Sequence, residues 1–291
     1  MAQIREIKRR IRSITNTSKV THAMELVAAA KMKKSQEKAL ASRPYTNTLH
    51  EIISELRPKS HRKTHRLLLT PKADTQLVII LTSDRGLVGG LNLNIFRQVL
   101  KDLAPKQPGS QKTKFVTVGK KARTFAAKSG FEVTASFGSE DQPFLDLART
   151  LTKISVDSFV AEEINSVYLV YPHFESTIKQ QATTLKLLPL DLKEELPSST
   201  EVAGLPTDIL FEPTADEILE SILPHLVLTR VYQALLEAKA SEHSARMVAM
   251  KNATDAASDL VDDLTLAYNQ ARQEAITKEI LDMVTAQSAL G

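Results

Sequence analysis

The two ends of this chain repeat their apolar residues with a helical period, and nothing else in the sequence limits the fold as much. Ile4, Ile7, Ile11 and Ile14 step by three, four and three, the a/d spacing of a coiled-coil seam. The register continues through Ser18, Thr21, Glu25, Ala28, Met32, Ser35, Ala39 and Ser42 to Leu49, Ile53 and Leu56. The middle of this seam is small or polar, unlike an ordinary dimeric zipper, and Ala28, Ala29, Ala30, Ala39 and Ala41 permit a partner helix to approach closely. The spacing predicts a helix over about residues 3–57, roughly 80 Å long at 1.5 Å per residue. That exceeds what a compact domain holds, so the helix is expected to leave the domain body. Pro44 lacks an N–H and is expected to disturb the helix locally. From about Thr214 onward alanine, leucine and charged residues dominate, with no glycine before Gly291. The one proline there, Pro224, is expected to kink or start a helix. Some 65 helical residues would span roughly 100 Å.

Between these ends the period changes. Gln76–Thr82 is a short apolar, β-branched run, as a buried strand requires. A glycine-bearing turn, Ser83-Asp84-Arg85-Gly86-Leu87-Val88-Gly89-Gly90, follows it, and then a helical pattern of Leu91, Ile95, Phe96, Val99, Leu100 and Leu103. Further strands are expected at Phe115–Val118, Phe131–Val133, Val167–Tyr171 and Thr183–Leu190, with helices at Lys120–Lys128 and from Phe144 to about Glu163. Alternating strands and helices imply an α/β domain with a mostly parallel sheet. Arg57–Arg66 reads as a polar, basic linker, and Pro189, Pro197, Pro206 and Pro213 punctuate a loop-rich crossing. The expected division is a helix and linker over 1–66, a central domain over 67–211 and a second long helix over 212–291. The insert returns the chain to where it left, so the two helices should pair antiparallel. The longer C-terminal arm then outlasts its partner.

Charge supports that pairing. Residues 1–66 hold 16 Lys and Arg against 5 Asp and Glu, and residues 212–291 hold 6 against 13. Segments of opposite sign attract. With 42% hydrophobic and 25% charged residues, the composition is that of a soluble protein, and no run of about 18 apolar residues reads as a membrane span. The basic start lacks the apolar core of a secretory signal, and Glu6 argues against a transit peptide. Cysteine is absent, which excludes disulfides and thiol chemistry.

Candidate catalytic features are weak. Gly86–Gly90 follows a strand and precedes a helix, where phosphate can bind. It matches neither G-x-G-x-x-G nor G-x-x-x-x-G-K-[ST], and no lysine follows. His61 and His65 have metal-pair spacing but lie among Arg57, Lys59, Arg62, Lys63 and Arg66, which repel a cation. Arg5, Lys8, Arg9, Arg10, Arg12 and Lys19 form a basic cluster without the interleaved aromatics that stack on bases. No cofactor, metal or nucleic acid is expected. The apolar end of the chain, Ile280, Leu281, Met283, Val284 and Leu290, needs cover from another chain.

Several long stretches resemble the gamma subunit family of bacterial F-type ATP synthase. They are Ile11–Met32 (IRSITNTSKVTHAMELVAAAKM), Ser42-Arg43-Pro44-Tyr45, Ser83–Asn92, Arg246–Ala257 and Tyr268–Ile280, in family order along the whole chain. The resemblance implies a long antiparallel two-helix coiled coil plus a central α/β, Rossmann-like domain. It implies a non-catalytic central rotor shaft, one per complex, inside a hexamer of alpha and beta subunits. The shaft would also contact the epsilon subunit and the ring of c subunits, peripheral to the cytoplasmic face of a bacterial cell membrane. By matching position, Met24, Arg246, Arg272 and Gln273 would face beta. Ile280, Leu281, Met283, Val284 and Leu290 would form the tip in its bearing, and Ser42, Arg43, Pro44, Tyr45, Phe211 and Glu212 the foot near the c ring and epsilon. The chain departs from the family at Ala286-Gln287-Ser288, where Gly-Ala is common, and at Val88, where cysteine is frequent. The alternatives are a coiled-coil scaffold or tether with an α/β head, a nucleotide-binding enzyme and a nucleic-acid binder.

Overall fold

In the computed structural model the described residues are 2–59, 65–103, 112–139, 143–191, 212 and 214–290. They form two units, Met1–Ala30 with Arg246–Gly291, and Lys31–Ala245. Helix α1 (Ala2–Lys59) and helix α5 (Ala215–Leu290) each contribute to both.

In the first unit the seam follows the sequence register. Ile4, Ile7, Ile11, Ile14, Ser18, Thr21 and Glu25 are half-buried, Ala28 is buried, and the residues between are mostly exposed. The facing stripe of α5 is Met250, Thr254, Ala257, Val261, Leu264, Tyr268, Ala271 and Ala275, again in steps of three and four. Thr21 and Thr254 share a hydrogen bond of 2.7 Å across the seam. In the second unit Ser42 Oγ donates to Gln233 Oε1 at 2.9 Å.

The second unit is built on a five-stranded sheet of order β3-β2-β1-β4-β5. Its strands are β1 (Thr75–Leu81), β2 (Lys112–Val118), β3 (Glu132–Phe137), β4 (Ser166–Phe174) and β5 (Gln180–Leu188). Pairings are parallel except β4 with β5, a hairpin. Helices α2 (Leu91–Asp102), α3 (Lys120–Lys128) and α4 (Phe144–Val160) complete it. Val78, Ile80, Phe115 and Val170 point to one face and pack with Ile95 and Val99 of α2 and Ala122 of α3. Leu77, Ile79, Leu81, Val116 and Leu169 point to the other, where α4, Leu49 and Ile53 of α1 and Leu219–Leu235 of α5 cover them. β1 alternates between two buried faces, so its sequence reads as continuously apolar.

Three expectations need correction. α1 runs unbroken through Pro44, and through Pro58 into the stretch read as linker. Proline removes one helical hydrogen bond, but packing outweighs that loss: Ser42 is tied to Gln233, and Leu49, Ile53 and Leu56 are buried on the following turns. Pro224 lies inside α5, which starts nine residues earlier at Ala215, so it does not begin the helix. Strand β3 is longer than Phe131–Val133, and β5 starts and ends before the expected Thr183–Leu190.

His65 explains how α5 tolerates its proline. It caps a single 3-10 turn, Arg66–Leu68, and its Nδ1 accepts the Leu67 N–H at 3.1 Å. The ring proton therefore sits on Nε2, and the ring hydrogen-bonds the backbone of Glu220. Glu220 is the residue whose carbonyl the missing N–H of Pro224 would have served. Burial lowers the His65 pKa from 6.5 more than the Glu220 carboxylate and backbone raise it. The unfolded chain therefore binds this proton more readily. The stabilisation is complete above the unfolded value of about 6.5 and is lost as pH falls from there to the folded value. Urea midpoints at pH 7.5 and 5.5 check this: the drop should be larger in the wild type than in His65→Asn, whose side-chain oxygen keeps the cap without titrating. Equal drops would refute it. His61, four residues before it, lies outside the described residues.

Candidate functional site

In an α/β sheet of this kind ligands bind beyond the carboxyl ends of the strands. Here groups from α3, the end of β3 and α5 converge on that place. Asp84, just past β1, accepts the Lys120 N–H at 2.9 Å on one oxygen and the Ser139 N–H at 2.9 Å on the other. It thereby holds the start of α3 and the end of β3. Thr82 Oγ1 accepts the Ala122 N–H at 2.8 Å. Lys239 of α5 enters from the helix side, donating to Ser139 Oγ at 3.0 Å and to Glu242 at 2.9 Å. Lys239 and Glu242 have side chains only 8% and 5% exposed, a fully desolvated ion pair. Burial alone would raise the Asp84 pKa, but the Lys120 N–H, both donors of Ser139 and the Lys239 charge together lower it.

The space left beside Leu81, Thr82, Ser83, Lys239 and Glu242 is a cavity of about 20 Å³. That holds one water, not a nucleotide. The glycine-bearing turn also spends its polar groups on itself. Asn92 Nδ2 donates to Ser83 Oγ at 2.8 Å, and Ser83 Oγ donates to the Arg85 carbonyl at 2.7 Å. The strand ends thus form a socket for α5. Sequence reasoning quoted Asp84 only as part of a motif and missed Ser139, Lys239 and Glu242. The available signal was a Lys and a Glu three apart within the apolar run Leu235, Leu236, Ala238 and Ala240.

The residues assigned by resemblance fall at separate levels. Met24 and Arg246 are half-buried, on α1 and α5 of the first unit. Arg272 and Gln273 are exposed, and Arg272 lies 26 helical residues beyond Arg246, about 39 Å along α5. Ala275 is the last half-buried position of the seam. Beyond it Ile276, Ile280, Leu281, Met283 and Val284 are all exposed, Met283 by 64%. At 100° per residue these five cover about 160° of the helix circumference, wider than the stripe one partner helix covers. Leu290 ends α5. In the second unit, Ser42 is bonded to Gln233, and Pro44 and Tyr45 are exposed. Arg43 lies within α1 and Glu212 is exposed, while Phe211 lies outside the described residues. Among the described residues no helix is long and apolar enough to cross a membrane.

Comparison with known proteins gives the class of subunit. A family model described as ATP synthase matches residues 3–290. The ATP synthase gamma chain of Stenotrophomonas maltophilia (strain R551-3) is 41% identical over 292 residues, and that of Desulfitobacterium hafniense (strain DSM 10664 / DCB-2) 40% over 291, each alignment covering 100% of both chains. The chain belongs to the ATP synthase gamma chain family. Among solved structures, a chain of the central stalk and c-ring of Tetrahymena thermophila mitochondrial ATP synthase aligns with TM-score 0.59 and 25% identity, over 80% of this chain and 99% of that one. A chain from the Euglena gracilis mitochondrial ATP synthase, OSCP/F1/c-ring in rotational state 3, aligns with TM-score 0.68 over 99% and 95%; at 19% identity it bears on the fold alone.

Proposed function

We propose that this chain is the central rotor shaft of an F-type ATP synthase and has no catalytic site of its own. The observation that carries this reading is the end of α5, helical for some fifteen residues after its seam with α1 stops at Ala275 and bearing the exposed apolar side chains Ile276, Ile280, Leu281, Met283 and Val284. Such a surface needs a surrounding sleeve, which a hexamer of alpha and beta subunits supplies. Residues 1–66 and 212–291 act as the shaft and 67–211 as the body that meets the epsilon subunit and the c ring. The complex sits at the cytoplasmic face of a bacterial cell membrane. Each angle of an asymmetric shaft favours a different conformation of each catalytic beta site, which is differential binding.

Tagged chain purified from its host should bring with it two large ATPase subunits, three copies of each per shaft. Recovery without them would favour a scaffold or tether. Met24, Arg246, Arg272 and Gln273 are the proposed contacts with beta, Ile280, Leu281, Met283, Val284 and Leu290 the bearing surface, and Ser42–Tyr45 with Phe211 and Glu212 the foot. Arg272 is exposed just before the seam ends, so Arg272→Ala should leave folding intact and slow ATP turnover of the assembled complex about ten-fold, the loss of one charged hydrogen bond. A wild-type rate would remove Arg272 from the set.

A further inference from the structure

Strand β4 outruns its neighbour. Its pairing with β1 stops at Val170, while β5 continues alongside it to Phe174. Polar residues of α5 at helical spacing lie beside the part left over: Glu237 and Ser241 bond β4, Ser244 bonds the hairpin after it, and Gln233 links Glu237 to α1. Glu237 Oε2 accepts His173 Nδ1–H at 2.7 Å, and Glu237 also hydrogen-bonds the Tyr171 side chain. Ser241 Oγ donates to the Pro172 carbonyl at 2.9 Å, and Ser244 Oγ to the Thr177 carbonyl at 2.6 Å. Gln233 Nε2 donates to Glu237 Oε1 at 3.1 Å, and Gln233 Oε1 accepts the hydroxyl of Ser42 on α1. One continuous row of hydrogen bonds thus runs from α1 through α5 to β4.

The surroundings of this row are apolar: Val231, Ala234, Leu235 and Ala240 are buried beside it. Apolar contacts are non-directional and let a helix roll on a sheet, whereas hydrogen bonds fix direction and break with small displacements. We infer that the row Ser42–Gln233–Glu237–Ser241–Ser244, with Tyr171, Pro172, His173 and Thr177, is the torsional seam of this chain: it stops α5 rolling on the sheet, so that sheet and helices turn as one body. Glu237, Ser241 and Ser244 are positioning residues for torque. The inference rests on the rotor reading.

The test uses the assembled complex, held to a surface by its large subunits. The chain has no cysteine, and Ile178 at the β4–β5 hairpin is 84% exposed, so Ile178→Cys gives this chain a single thiol for a bead, in a complex whose other subunits carry no reactive cysteine. In a stalled complex the angular variance of the bead is inversely proportional to the stiffness beneath it. Glu237→Gln, which keeps the shape, should raise that variance about two-fold or more by loosening the linked bonds to Gln233, His173 and Tyr171 together, and the pair Ser241→Ala with Ser244→Ala should raise it about as much by removing two separate ties. ATP hydrolysis without load should be unchanged. Unchanged variance in both variants overturns the seam. A wild-type bead that never turns with ATP contradicts the rotor reading instead. The seam is then read in the isolated chain, where both variants should speed amide exchange over residues 233–244 and equal exchange overturns it. Thermal melts of the isolated variants establish that they fold.

Discussion

Lys239→Met is expected to destabilise the chain by about 3 kcal/mol, the cost of breaking a buried ion pair by removing one partner. Glu242 would keep a charge in a side chain 5% exposed and lose the ammonium 2.9 Å away. Ser139 would lose the donor that sets its hydroxyl between Lys239 and Asp84. The effect therefore spreads from α5 to the start of α3, which Asp84 caps. Domains are stable by only about 5–15 kcal/mol, so the urea midpoint should fall sharply and little complex should assemble. Lys239→Met combined with Glu242→Gln removes both charges and should recover most of the loss. A single variant as stable as the wild type would mean that the pair does not organise the socket.

Gly119→Ala is the second large expectation. Gly119 follows β2 with φ of 95°, and a Cβ there would lie 2.3 Å from the carbonyl oxygen of Thr82 and 2.9 Å from its Oγ1. Thr82 cannot retreat, because its N–H and hydroxyl both bond Val118 and its hydroxyl also holds Ala122. Backbone strain and overpacking together should cost about 2–5 kcal/mol. Gly130 makes the control. It also has positive φ, 68°, but open space around its Cβ position. Gly130→Ala should therefore cost only the strain, about 1–2 kcal/mol. Equal urea midpoints for the two variants would show that the clash does not govern position 119.

Period and composition revealed the helices, because a 3.5-residue repeat over Ile4–Leu56 has one stable arrangement, and every described seam position is at least half-buried. Strand β1 was equally plain, since both its faces are covered. The prolines misled because propensity is local, while the burial that holds α1 straight past Pro44 comes from residues distant in sequence. The socket stayed hidden for the same reason. Asp84, Ser139 and Lys239 lie 55 and 100 residues apart in turn, and only the fold brings them together. The open end of α5 could be read as apolar, but that α1 leaves it bare after Ala275 follows from the register of the pair.

The central claim is that this chain turns as a shaft inside a ring of other subunits. The direct measurement fixes the large subunits of the purified complex to glass, attaches a bead at Ile178→Cys and adds ATP. Continuous rotation in one sense, stopping when ATP is exhausted, is the predicted result. Steady ATP hydrolysis beneath a bead that only jitters about one angle would contradict it.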